Sequence, residues 1–259
     1  MLHFWFELIS ISIVFLLFLG MLLFLELGRR IGQRQIALRG KDARVGVGIV
    51  DSAVYGLLAL LIGFTFSGAA GRFDRRRDLV AQEANAASTA WIRVDLLPTD
   101  AQAAVRDGFR RYMDALIAWY SESSAKKELT TQPEYVTAAQ GAVWSSAVAA
   151  CLTPSGERAR MLLLPSFNEL FDVVDTERAA RRMHPPLVIW MMLGITAFAA
   201  ALFVGYGISN SPKRNWVYII GFSASVSIAT YVILELEFPR LGFARVRNEA
   251  LVELRAQMK

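Results

Sequence analysis

The side chains able to do chemistry in this sequence are few, and most lie in apolar surroundings. Gly48, Ser52, Gly56, Ala59, Gly63 and Ser67 recur at steps of three and four residues, which stacks them on one face of a helix. Two uses fit such a face. Small residues let helices in lipid approach closely. They also leave room for a lumen, where serine hydroxyls meet water and ions. Asp51 lies in the same run, and an intramembrane carboxylate marks function by default. It sits near the end of the run, however, where it can reach the interface, pair with Arg44 or accept a hydrogen bond from Tyr55. Further on, Ser223, Ser227, Thr230 and Glu237 share a second helical face, with Glu235 off that stripe. Glu235 and Glu237 fall on the same membrane side as Arg72, Arg75 and Glu7. Ion pairs locking helix ends explain this, and an ion-selecting ring repeated around an oligomer is the alternative.

Enzyme chemistry finds no footing. The sequence holds no G-x-S-x-G elbow, Walker loop, H-E-x-x-H or dinucleotide glycine pattern. Its two histidines are His3 and His184, and its one cysteine is Cys151, so disulfide frameworks and multi-cysteine or histidine-rich metal sites are excluded. No catalytic residue, metal or cofactor is expected.

The elements that carry these residues follow from composition. Of 259 residues 54% are hydrophobic and 20% charged, more apolar and less charged than soluble chains. A bilayer core needs roughly 20 apolar helical residues. Leu8–Leu25, Val45–Ala70 (uncharged but for Asp51), Leu187–Ile208 and Trp216–Leu234 meet that requirement, giving four spans. Residues 71–185 hold fifteen basic and fifteen acidic side chains, so the whole net charge of +5 lies in the flanks of the spans. That is a headgroup-facing distribution, not the one-sided basic face of a nucleic-acid binder. Lipid is therefore an expected partner and nucleic acid is not. Basic residues divide eight to ten between the two membrane sides, which leaves orientation open.

Residues 71–185 read as helical. Val80, Ala84, Ala87, Trp91 and Val94 form one stripe, on a helix that leaves the second span without a break. Thr99 suits the N-cap of the next helix, with Val105, Phe109, Tyr112, Leu116 and Trp119 on its face. Pro133 suits the first position of a third, through Val136, Val143, Ala147 and Val148. A fourth, from about Glu157, carries Leu163, Phe167, Leu170 and Val174, with a kink expected at Pro165. The fold class is an all-α membrane protein with four transmembrane helices and a helical extramembrane segment between the second and third. Its divisions are 1–70 (first two spans), 71–185 (extramembrane segment) and 186–259 (last two spans and a short tail).

Gly63-Phe-Thr-Phe-Ser67, Arg72-Phe-Asp-Arg-Arg-Arg77, Leu79-Val-Ala-Gln-Glu83-Ala-Asn-Ala86, Thr89-Ala-Trp-Ile-Arg93 and Asp95-Leu-Leu-Pro98 resemble the bacterial bestrophin-like membrane proteins. Pro185, Pro186 and Trp190 are similar to that family's approach to the third span, and Glu237-Phe-Pro-Arg-Leu-Gly242 to its close of the fourth. The resemblance implies kinship with bestrophins, pentameric anion channels whose soluble portion is cytoplasmic and whose second helix lines an aromatic neck. Phe64 and Phe66, flanking Thr65, lie in the segment similar to that neck. One departure matters: after the fourth span only Glu235, Glu237, Glu249 and Glu253 stand in place of an acidic calcium clasp. Together the residues and the resemblance imply a multi-pass protein of the bacterial inner membrane, a homo-oligomer, possible as a pentamer, that conducts ions along its second helix. Ser52, Gly56, Gly63, Phe64, Phe66 and Ser67 would line or constrict the path. Asp51, Arg72, Arg75, Arg76, Glu235 and Glu237 would attract or select ions, with Arg77 beside them at the mouth. The competing expectation is a non-conducting scaffold or sensor whose helical segment binds a partner.

Overall fold

The structure, a computed structural model, describes residues 2–39, 47–123, 132–211, 214–238 and 248–258. All regular structure among them is helical: α1 (Leu2–Arg39), α2 (Val47–Arg93), α3 (Thr99–Ser123), α4 (Glu134–Cys151), α5 (Glu157–Arg181), α6 (Leu187–Gly207), α7 (Trp216–Glu237) and α8 (Glu249–Gln257). Four stretches are long and apolar enough to cross a membrane, within α1, α2, α6 and α7. The protein is a multi-pass membrane protein. Its chain forms two compact units, one of residues 4–71 and 184–243, the other of residues 1–3, 72–183 and 244–259.

The first unit packs α1, the first half of α2, α6 and α7 around Met21, Leu25, Leu58, Leu193, Ala197, Ala200, Ala201 and Val204. Lipid is as apolar as leucine, so hydrophobicity alone does not bring these helices together; small residues that permit close approach do. They are found where α1 meets α6. A Cβ built on Gly28 would lie 1.9 Å from the Leu202 carbonyl oxygen, and one on Gly205 would lie 1.9 Å from that of Leu25. Gly20 faces Phe198 and Gly32 faces Ser209, so the contact order rises along both helices and they run parallel. Phe24 stacks on Phe198 beside this crossing, with ring centroids 5.0 Å apart.

The second unit is a polar-surfaced bundle of the remainder of α2 with α3, α4, α5 and α8. The expected stripes form its core: Val80 and Ala87 on α2 with Val94 in the turn just after it, Val105, Phe109, Tyr112, Leu116 and Trp119 on α3, Val136, Val143 and Ala147 on α4, and Leu163, Phe167, Leu170 and Val174 on α5 are all buried. Phe109 joins them, edge-on to Phe167 at 5.5 Å and tilted against Trp91 at 5.8 Å. Gly108 lets α4 approach α3, with Val143 Cα 3.4 Å from where its Cβ would stand. Arg255 forks onto both oxygens of Asp114 at 2.8 and 2.7 Å, and Arg110 donates to the Met258 carbonyl, so α8 is docked on α3.

Element boundaries shift slightly from expectation. Thr99 is the first residue of α3 rather than its flank, and the Pro98 carbonyl accepts from Gln102 N. Pro133 precedes α4 in extended conformation (φ −62°, ψ 151°). Its fixed φ suits either position, and ψ decides. α5 continues through Pro165 as one helix from Glu157 to Arg181.

Candidate functional site

α2 is 47 residues long, about 70 Å at 1.5 Å per residue. Its apolar half has three faces. Leu58 and Thr65 are buried and Val54, Tyr55, Leu61 and Ile62 half-buried, which defines the packed face. Tyr55 meets Phe222 of α7 edge-on there, with centroids 6.4 Å apart. The small-residue face lies away from it, and all six of Gly48, Ser52, Gly56, Ala59, Gly63 and Ser67 are exposed. Among the described residues, a Cβ added at Gly48, Gly56 or Gly63 would meet nothing within 4 Å. Close packing inside the subunit, one of the two uses open from the spacing, is thus not what these glycines do. The third face carries the large exposed side chains Leu57, Leu60 and Phe64.

The two phenylalanines divide between faces. At about 100° per residue, positions two apart point in nearly opposite directions. Phe66 falls about 60° from Gly63, beside the small-residue face, and Phe64 about 100° to its other side. They are 45% and 68% exposed. Ser52 Oγ donates to the Gly48 carbonyl at 2.9 Å and Thr65 Oγ1 to the Leu61 carbonyl at 2.6 Å, so both hydroxyls are satisfied within the helix.

The charged candidates separate by burial. Asp51 is half-buried at the C-terminal end of α6, its Oδ2 3.9 Å from where a Cβ on Gly207 would stand. Arg44, its expected partner, lies outside the described residues, as do residues 239–242. Arg75 is exposed and Arg72 half-buried. Arg76 is 4% exposed, and its guanidinium donates to the Ala180 and Met183 carbonyls at 3.4 and 3.1 Å. Arg76, expected to attract ions, is thus engaged by one carbonyl in the last turn of α5 and one just beyond it, where a cation also complements the helix dipole. Glu235 and Glu237 are 6% and 0% exposed, so neither offers a carboxylate to solvent as a selecting ring requires. Glu237 Oε1 lies 3.0 Å from His184 Nδ1, and the histidine ring stacks on Phe238 at 4.9 Å.

The structure adds two features, the place of Asp74 beside the expected Arg77 and a buried polar cluster. Continuing the small-residue face past Gly71 by seven- and eleven-residue steps brings Asp74, then Arg77, both exposed. The helical unit also buries a polar cluster. Tyr120 donates its hydroxyl to Glu83 at 2.9 Å, Arg181 pairs with Glu177, and the Arg181 guanidinium sits 4.6 Å over the Tyr120 ring. Burial among these carboxylates holds the Tyr120 hydroxyl well above the usual phenol range. Its one sequence signal was Glu83 on the otherwise apolar side of α2. Among the described residues no group of three His, Cys, Asp or Glu side chains is placed to hold a metal ion.

Residues 15–251 match the bestrophin-like domain. The chain belongs to the bestrophin-like family. Its fold is that of solved bestrophin homologues. Two structures of a bacterial bestrophin homologue from Klebsiella pneumoniae are similar to this bestrophin-like protein. One is a variant, with TM-score 0.70 and 14% identity over 93% of this chain and 95% of that one. The other has TM-score 0.67 and 15% identity over 92% and 96%. A structure described only as a membrane protein superposes with TM-score 0.62 and 15% identity over 93% and 96%. No curated protein matches the chain.

Proposed function

We propose that this bestrophin-like protein is an ion channel assembled from copies of itself, five as the resemblance implies, with the small-residue face of α2 turned to the common axis. The observation that carries the reading is that this face is exposed and that, among the described residues, nothing lies within 4 Å of a Cβ added at Gly48, Gly56 or Gly63. The backbone there is hydrogen-bonded within the helix, but a face of glycine, alanine and serine offers little apolar surface to hydrocarbon and leaves room for a water-filled path. A closed ring gives every copy the same axial face. In this arrangement Ser52, Gly56, Gly63 and Ser67 line the path, Phe66 narrows it, and Phe64 packs with Leu57 and Leu60 against the next copy or lipid. Ion attraction passes to Arg77 and Asp74 on the axial line, with Arg75 flanking. Asp51, Arg72, Glu235 and Glu237 fix helix ends. Residues 71–185 form the extramembrane part, on the cytoplasmic side of the inner membrane.

The test is flux or single-channel recording from purified protein in liposomes. Conductance is expected, reduced by Gly63→Leu, which places a large side chain on the axial face. Absence of conductance at every voltage, pH and calcium concentration, together with a monomer or dimer in detergent, overturns the proposal. A second reading, a non-conducting scaffold, draws on Leu152, Met161 and Leu162 of the helical unit, which are 70%, 79% and 50% exposed. A specific partner bound there by a non-conducting protein would favour it.

A further inference from the structure

The described end of α1 carries a charge arrangement that the channel reading does not use. Arg29 is 8% exposed and makes no hydrogen bond or ion pair among the described residues. Its neighbour Glu26 turns to other arginines. One oxygen, Oε1, accepts from Arg30 Nε at 3.0 Å and from Arg214 Nη2 at 3.2 Å. Arg30 and Arg214 therefore share one carboxylate while Arg29 has none among the described residues, so the three guanidinium groups and Glu26 together carry an excess of two positive charges. They border a cavity of about 280 Å³ whose remaining wall is apolar, Ile219 and Trp216 among it.

The position of Arg29 is a consequence of backbone packing. Gly28 lies in contact with the Leu202 carbonyl of α6, so the next residue is pressed into the wedge between α1, the Ile208 turn and the start of α7. A guanidinium buried without a counter-charge is unfavourable, and an anion in the cavity removes that penalty. Arginine's planar fork is matched to phosphate oxygens. The surroundings specify the kind of phosphate. Trp216 is 54% exposed at the start of a membrane span and lies under the Arg214 guanidinium at 5.7 Å, the place of an interfacial aromatic. Leu22 and Ile219 continue the wall toward the hydrocarbon. A charged head with an apolar tail satisfies both parts.

We propose that this cavity is a binding site for the phosphate headgroup of an anionic phospholipid, held by Arg29, Arg30 and Arg214 with its acyl chain along Leu22 and Ile219. The test is native mass spectrometry of the full chain in detergent, incubated with phosphatidylglycerol, with phosphatidylcholine, or with phosphatidylglycerol plus millimolar inorganic phosphate. Phosphatidylglycerol should be retained over phosphatidylcholine, and Arg29→Gln and Arg214→Gln should each lower its retention about fivefold, the effect of one interfacial arginine. Arg111→Gln, at an exposed position of the helical unit, should leave retention unchanged. Should Arg29→Gln fail to fold, Arg214→Gln decides, since that side chain is 45% exposed. Equal retention of the two lipids overturns the proposal, as does wild-type retention in Arg214→Gln. Displacement of phosphatidylglycerol by inorganic phosphate overturns the lipid assignment in favour of a free-anion site.

Discussion

Gly205→Ala tests the packing argument most directly. The added methyl would stand 1.9 Å from the Leu25 carbonyl oxygen, where real Cβ contacts stay above 3.0 Å, so α1 and α6 must part by about 1 Å. The nearest atoms are backbone, Leu25 O, C and Cα, and cannot swing aside as a side chain would. Overpacking of this kind costs about 1–3 kcal/mol. Separation also weakens Cα–H···O contacts worth about 0.5–1 kcal/mol each across a helix crossing. The same parting loosens Phe24 on Phe198 and the Ala197, Ala200 and Ala201 face. A total near 3 kcal/mol is expected, less up to about 1 kcal/mol returned by alanine's better helix propensity. The assay is equilibrium unfolding of the purified protein in mixed detergent, beside Gly63→Ala as control. Gly63 has open space around it, so its alanine should be neutral or slightly stabilising. Gly205→Ala within 0.5 kcal/mol or so of wild type, or equal losses in both variants, would refute the claim that this crossing depends on backbone contact.

Arg76→Gln withdraws the charged donor from the Ala180 and Met183 carbonyls in a buried setting and should destabilise by about 2–3 kcal/mol in the same assay. An effect no larger than that of exposed Arg75→Gln would contradict its capping role. Tyr112 and Tyr120 are both held above the normal phenol range, chiefly by burial and then by Glu83. With the folded-state value raised, their contribution is complete below about pH 10. It is lost as pH rises from there toward the folded values, by about 1.4 kcal/mol per pH unit per tyrosine. Alkaline titration followed by tyrosinate absorbance should therefore give a cooperative transition, and two independent titrations near pH 10 would count against it. For topology, Cys151 is buried with its thiol pushed up by desolvation and should label slowly. In a Cys151→Ala background, exposed Ser145→Cys should react with an impermeant maleimide only from the cytoplasmic side. Reaction from outside would reverse the proposed orientation.

What the sequence made legible was whatever depends on period and length. Spans need an apolar stretch of fixed length, and the stripes from Val80 to Val174 follow from 3.6 residues per turn, so both were readable residue by residue. Partners were not. The stripe from Gly48 to Ser67 has the composition of a packing face, yet it is Gly28 and Gly205, in shorter small-residue runs of α1 and α6, that make the close contact. Spacing along one helix says nothing about which other helix lies opposite. Arg76 and Arg75 are neighbours of one type with opposite burial, because 100° of rotation separates a carbonyl-rich helix end from solvent. The alternation of Ala197, Ala200, Ala201, Val204 and Gly205 was the available signal for the α1–α6 contact, and it went unread because the whole of α6 is apolar.

The unbroken length of α2 constrains how this gene can change. The same 47-residue helix carries the open face before Gly71 and the core stripe from Val80 to Ala90 after it. Inserting one residue between Ser67 and Arg72 would rotate the core stripe by about 100° relative to the open face on the same helix. Seven or eleven residues would restore the phase to within about 20°. Length variation in this segment among descendants should therefore come in those steps, and single-codon insertions should be purged.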